Sequence, residues 1–179
     1  MNKNVKTMTI IGDLEEEYAK EVMETLYAIK LTSDEEEEEE KGPIQILIST
    51  YGGSILELFS IYDIIREIKS EDYEIHTHGL GKVMSAGVLL LASGTRGKRR
   101  IGKNCRVMMH SVIAGCEGTY VSLQNEMDEI KYLQEQYKRC LVEETNISMR
   151  SLNKYFKAGK NIYLSAEEAV ELGIADEIV

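Results

Sequence analysis

Three short runs rich in β-branched residues, MTII (8–11), IQILI (44–48) and YEIHTH (73–78), are separated by longer stretches with helical apolar spacing. Period-two strands alternating with helices predict crossover connections between parallel strands, and so an α/β fold. Between the first two runs, Tyr18, Val22, Leu26 and Ile29 recur on one face, which predicts a helix from Leu14 to Ile29. After IQILI comes STYGGS and a second helix, ILELFSIYDIIREIK. After YEIHTH comes Gly81 and a third, short helix opening near Ser85.

The second half has a different rhythm. KRRIG and CRVMMHS read as two further short strands, and AGCEGTY is glycine-rich and loose. A long helix is expected from Val121 to Glu144, with Leu123, Met127, Ile130, Leu133, Tyr137 and Leu141 in one stripe. That stripe serves either the core or a subunit contact. In SAEEAVELG, Ser165 and Glu168 make a capping box and Gly173 ends the helix. The acidic run Asp34 to Glu40 cannot pack against itself and reads as a solvated loop, residues 34–41, with docking of a basic partner as the alternative.

At 179 residues the chain suits one domain, 1–179, with a sizeable core. A formal net charge of −10 disfavours a nucleic-acid partner, which demands a basic face. Cys105, Cys116 and Cys140 are widely spaced and odd in number, so neither a disulfide framework nor a zinc or other metal site is expected. This usage fits a reducing compartment, and the expected location is the cytoplasm. The N-terminus lacks the apolar core of a signal peptide, and no apolar run is long enough to span a membrane.

The stretch GKVMSAGVLLLASG, Gly81 to Gly94, places one hydroxyl in a small, apolar setting. One reading is helix packing, with Ser85 bonding back to its own backbone. The other is a nucleophile, which needs a base and donors for a developing oxyanion. Of the three histidines, His76 and His78 share one strand face and read as half-exposed sheet surface. His110 ends the strand RVMM, where α/β sheets display functional side chains. At the start of a helix the Ala86 N–H is one natural donor. The glycine pair in YGGS, at the exit of a strand, offers another.

In the order Gly-Gly, Ser, His, these segments resemble the proteolytic subunit of the Clp protease, a serine peptidase family. YGGSILELFSIYDIIREIK is similar to the family's Gly-Gly turn and following helix, and YLSAEEAVELGIADEIV to its C-terminal segment. GKVMSAGVLLLASGTRGKRRIGKNCRVMMH resembles its nucleophile helix and histidine strand, with the family's spacing from Ser85 to His110. The resemblance runs from about Met8 to Val179. It implies a ClpP/crotonase-like α/β fold of repeated β-β-α units, with a strand and long helix (about 112–145) protruding as a handle. It implies Ser85 as nucleophile, His110 as general base, and Gly53 and Ala86 as oxyanion donors. It also implies that Gly115, Cys116 and Gly118 lie where extended peptide binds. Two stacked heptameric rings of the same chain, an AAA+ unfoldase that alone uses ATP, and no cofactor on this chain complete what it implies.

Several positions depart from the family. Its triad aspartate is Asn161 here, which accepts a hydrogen bond but carries no charge. The acid–arginine pair before it becomes Gly159 and Lys160, and the proline before the glycine pair is Tyr51. Gln45, Glu67, His78 and Arg100 stand where the family has an apolar docking groove. The family's N-terminal axial loop and first helix are expected to be absent or very short. Three functions are therefore compared. The first is a self-compartmentalising serine endopeptidase. The second is a weak or inactive subunit of a mixed ring with a second ClpP-type chain. The third is a crotonase-type acyl-CoA enzyme.

Overall fold

The computed structural model describes residues 4–35 and 41–179. Its centre is a mostly parallel sheet. Strand β1 (Asn4–Leu14) pairs with β2 (Lys41–Gly53), and β2 with β3 (Ile75–Met84). Strands β4 (Arg99–Ile101) and β7 (Glu177–Ile178) continue the order β1-β2-β3-β4-β7. Strand β5 (Arg106–Met109) joins β3 in parallel, and β6 (Ile162–Leu164) joins β5 in antiparallel. This is the mixed α/β architecture expected from the alternating pattern.

The strand faces follow the period of two. Met8, Ile10, Ile44, Ile46, Ile48 and Ile75 are buried on one face, while Gln45, Leu47, His76 and His78 are half-buried on the other. Helix α1 (Glu16–Asp34) buries Val22 and Leu26, as the spacing predicts, but runs beyond Ile29 to Asp34. Lys30, paired at 2.9 Å with both Asp34 and Glu71, ties down that last turn. Asp34 is thus helical and not loop, with Glu35 as its cap, and Lys41 at the other end of the expected loop already begins β2; the remainder of the acidic run, 36–40, lies outside the described residues. Helix α2 (Ile55–Ser70) covers the sheet with Leu58, Ile61, Tyr62, Ile64, Ile65 and Ile68. Helix α3 (Ala86–Ala92) is buried along its whole length.

Two irregularities position the site. Strand β2 carries an extra residue near Thr50 relative to β1. Strand β3 changes partner: Thr77–Gly79 lie beside β4, but Lys82–Met84 lie beside β5. Gly81 makes the bend between them at φ +65°. The ends of β2, β3 and β5 therefore converge.

Helix α4 (Tyr120–Glu144) starts at the N-cap Thr119, whose hydroxyl accepts from the Ser122 N–H at 3.3 Å. Of its apolar stripe only Tyr137 and Leu141 are buried; Leu123, Ile130 and Leu133 are half-covered and Met127 is exposed. The handle strand expected before it is not a strand: 110–118 has no regular secondary structure. A strand needs a neighbour for its N–H and C=O groups, and among the described residues no strand pairs with this segment; the Val112 N–H donates instead to a side chain, Gln134 Oε1 at 3.2 Å. Helix α5 (Met149–Lys157) packs Leu152 and Phe156 into the core, and α6 (Ala166–Glu171) opens with the expected Ser165/Glu168 capping box. Among the described residues no helix is long and apolar enough to cross a membrane.

Candidate active site

The glycine pair at the end of β2 does two separate jobs. Thr50 is fully buried, and its hydroxyl accepts the Gly52 N–H at 2.9 Å while donating to the Gly12 carbonyl. This fixes Gly52 at φ +106°. A Cβ on Gly52 would stand 2.6 Å from Ser85 Cβ and 3.1 Å from Ala86 N. A Cβ on Gly53 (φ +146°) would stand 2.4 Å from the Leu14 carbonyl. The first glycine lets the strand approach Ser85; the second lets β1 and β2 close together.

Ser85 sits at the sharp turn from β3 into α3, at φ 53° and ψ −121°. Among the described residues it shares a positive φ with only one other non-glycine, Asp72. Holding a serine there costs about 1–3 kcal/mol. Such a strand-to-helix elbow lifts a hydroxyl clear of its own backbone. The Ser85 side chain makes no capping bond to α3, so it is not spent on its own helix. The backbone bears the constraint: Ser85 N–H donates to the Met108 carbonyl at 2.7 Å, and the Ser85 carbonyl accepts Val88 N–H at 3.1 Å and Tyr137 O–H at 2.9 Å.

His110 follows β5 directly and is half-buried. Its Nδ1 lies 2.5 Å from the Ser111 carbonyl. A carbonyl can only accept, so Nδ1 carries the hydrogen and Nε2 of the neutral ring is left as the acceptor. Asn161 precedes β6. In the β5–β6 register, Met109 faces Ile162, so the next positions are His110 and Asn161. Asn161 is exposed, and no hydrogen bond joins its side chain to His110 or to Ser85 among the described residues.

These elements enclose a cavity of about 310 Å³. Tyr51, Gly53, Ser54, Ile55 and Leu58 line it from the end of β2 and the start of α2, Ser85 and Ala86 from the turn into α3, Tyr137 from α4, and His110, Ser111, Val112 and Ile113 from the segment after β5. Lys82 lies 4.7 Å above the Tyr51 ring at the rim. Ser85, His110, Gly53 and Ala86 are thus brought together. Asn161 neighbours His110 in register without lining the cavity. Gly115, Cys116 and Gly118 lie in the exposed segment beyond Ile113, outside the lining.

A match to the Clp protease family covers residues 2–179. The chain belongs to the Clp protease family. It is 32% identical over 144 residues to ATP-dependent Clp protease proteolytic subunit 1 of Prochlorococcus marinus, covering 80% of this chain and 71% of that protein. It is a ClpP-like protein.

The departures from the family pattern also have places in the structure. His78 is half-buried, with its Nε2 sheltered and unpartnered; burial, and then Arg100 beside it, hold its pKa below the usual imidazole value. Arg100 pairs with Glu177 at 3.2 Å, and Glu67 accepts from the Tyr27 hydroxyl at 3.1 Å. Among the described residues no group of His, Cys, Asp and Glu is arranged to hold a metal ion. Sequence reasoning missed the Ser111 carbonyl, Tyr137 and the apolar lining of Ile55, Leu58, Val112 and Ile113. The Ser111 carbonyl is backbone and leaves no sequence signal. Tyr137 was legible only as one more apolar position of the α4 stripe.

Proposed function

We propose that this ClpP-like chain is a serine endopeptidase. The Ser85 hydroxyl attacks a peptide carbonyl, and His110 Nε2 takes its proton. The Gly53 and Ala86 N–H groups receive the oxyanion as the tetrahedral intermediate forms. His110 then protonates the leaving amine. Water, activated by the same imidazole, hydrolyses the Ser85 ester and restores the enzyme. The apolar wall of Ile55, Leu58, Val112 and Tyr137 suits an apolar substrate side chain beside the scissile bond. The observation that carries this reading is the uncapped Ser85 hydroxyl at a strained elbow, in one cavity with His110.

In this reading Asn161 stands in the orienting position without charge, and the extended substrate runs past Gly115, Cys116 and Gly118. The working form is two stacked heptameric rings in the cytoplasm, fed with unfolded protein by an AAA+ unfoldase that spends the ATP. The test is labelling by a fluorophosphonate. Covalent modification at Ser85, lost in Ser85→Ala, is expected; equal labelling of the alanine variant refutes it.

One observation favours the second reading, a weak subunit of a mixed ring. His110 Nδ1 is occupied by a backbone carbonyl, with the neutral Asn161 beside it. Active-site titration separates the two: a stoichiometric acylation burst from the homomeric chain supports the peptidase, and none supports the mixed ring.

A further inference from the structure

The Ser85–Ala86 peptide group joins the candidate nucleophile to a candidate oxyanion donor. Its carbonyl and its N–H belong to one rigid plane and point in opposite directions. Whatever holds the Ser85 carbonyl therefore also aims the Ala86 N–H. One of the two donors on that carbonyl is not local: the Tyr137 hydroxyl, 2.9 Å away, arrives from α4, 52 positions along the chain.

We propose that Tyr137 is a positioning residue of the acyl-transfer site, whose hydroxyl holds the Ser85 carbonyl and so aims the Ala86 N–H at the developing oxyanion. The inference rests on the peptidase reading given above. Tyr137 is built for such a task. It is 4% exposed, and its ring stacks on Phe156 with centroids 6.1 Å apart and planes 9° from parallel. Phe156 is itself buried in α5, so the phenol cannot swing away. Burial pushes the Tyr137 pKa far up, which keeps the hydroxyl a donor at any working pH. A donor on a peptide carbonyl also polarises that peptide and strengthens its N–H as a donor.

The consequence is specific to the transition state. The oxyanion exists only during acyl transfer, whereas the apolar wall binds substrate before and after it. Tyr137→Phe keeps the ring, its stacking and the wall, and deletes only the tether. With native mass unchanged and the thermal midpoint lowered by no more than the about 2–4 °C that one such bond is worth, kcat on a short peptide is expected to fall about 5- to 10-fold, the worth of one neutral hydrogen bond. KM should stay within about twofold. A peptide boronic acid, whose tetrahedral adduct with Ser85 places oxygen in the same position, should bind the Phe variant weaker by a similar factor. Unchanged kcat, unchanged boronate affinity, or a loss confined to KM overturns the proposal.

The test stays separate from the peptidase reading. If the unaltered chain takes no boronate at Ser85, that reading fails, and hydrogen–deuterium exchange over residues 84–88 decides the tether. Faster exchange in Tyr137→Phe supports it; identical exchange refutes it.

Discussion

Gly52→Ala tests the geometry of the site most directly. The substitution adds one methyl group and carries two separable costs. The first is conformational: at φ +106° an alanine is in a region that L-residues avoid, worth about 1–3 kcal/mol. The second is steric. The new Cβ would lie 2.6 Å from Ser85 Cβ, 3.0 Å from the Met84 carbonyl oxygen and 3.1 Å from Ala86 N. These are backbone-proximal atoms, not flexible side-chain ends, so relief must come from moving the elbow itself by about 1 Å. A misplacement of that size costs about 100-fold in rate. Gly12→Ala is the matched control. Gly12 has φ +104°, nearly the same, but a Cβ there meets nothing within 4 Å. Both variants should lose comparable stability through the backbone cost, lowering the thermal midpoint by about 2–4 °C per kcal/mol. Only Gly52→Ala should also lose acylation, by about 100-fold in the second-order rate of phosphonate labelling at Ser85. Labelling of Gly52→Ala at the unaltered rate, or equal losses in the two variants, refutes the argument that Gly52 makes room for Ser85.

Asn161→Asp should raise kcat/KM by about 10-fold, because a carboxylate next to His110 in register can draw Nδ1–H from the Ser111 carbonyl and offset the imidazolium; an unchanged rate with intact assembly shows that position 161 does not orient His110. Asp176→Asn should destabilise the chain by about 3 kcal/mol at neutral pH, since it strips the countercharge from Arg99, which is 3% exposed. Burial pushes the Asp176 carboxyl upward, but hydrogen bonds and charge from Arg99, with the Arg99 and Gly97 N–H groups, outweigh it and hold the pKa below the usual value. A depressed carboxylate stabilises fully above its unfolded pKa of about 3.9 and loses that contribution as pH falls through its folded value. The gap between the two chains in urea unfolding should therefore close on acidification below about pH 4; a gap constant down to pH 3 contradicts the assignment.

Local chemistry made much of this protein legible from its sequence. The period of two in IQILI sets which side chains face the core, and the 3.6 period in α1 sets Val22 and Leu26 inward. Ser165 and Glu168 cap α6 through contacts within one turn. The order Gly-Gly, Ser, His survived as a shared cavity because each member sits at the end of its own strand. Other features depend on contacts between distant segments, which no local pattern encodes. The handle strand expected around Gly115 to Gly118 is absent because a strand exists only with a neighbour beside it. The bend in β3 arises because the strand trades β4 for β5 midway. His110 finds a carbonyl, not the side chain at 161, and a carbonyl is common to every residue. Tyr137 has the same apolar periodicity as its neighbours on α4; only the packing of α4 and α5 against the elbow places its hydroxyl on Ser85. Sequence determined which groups are available, through short-range sterics and hydrogen bonding. Tertiary structure decided which of them meet, because that choice belongs to the packing of elements far apart in the chain.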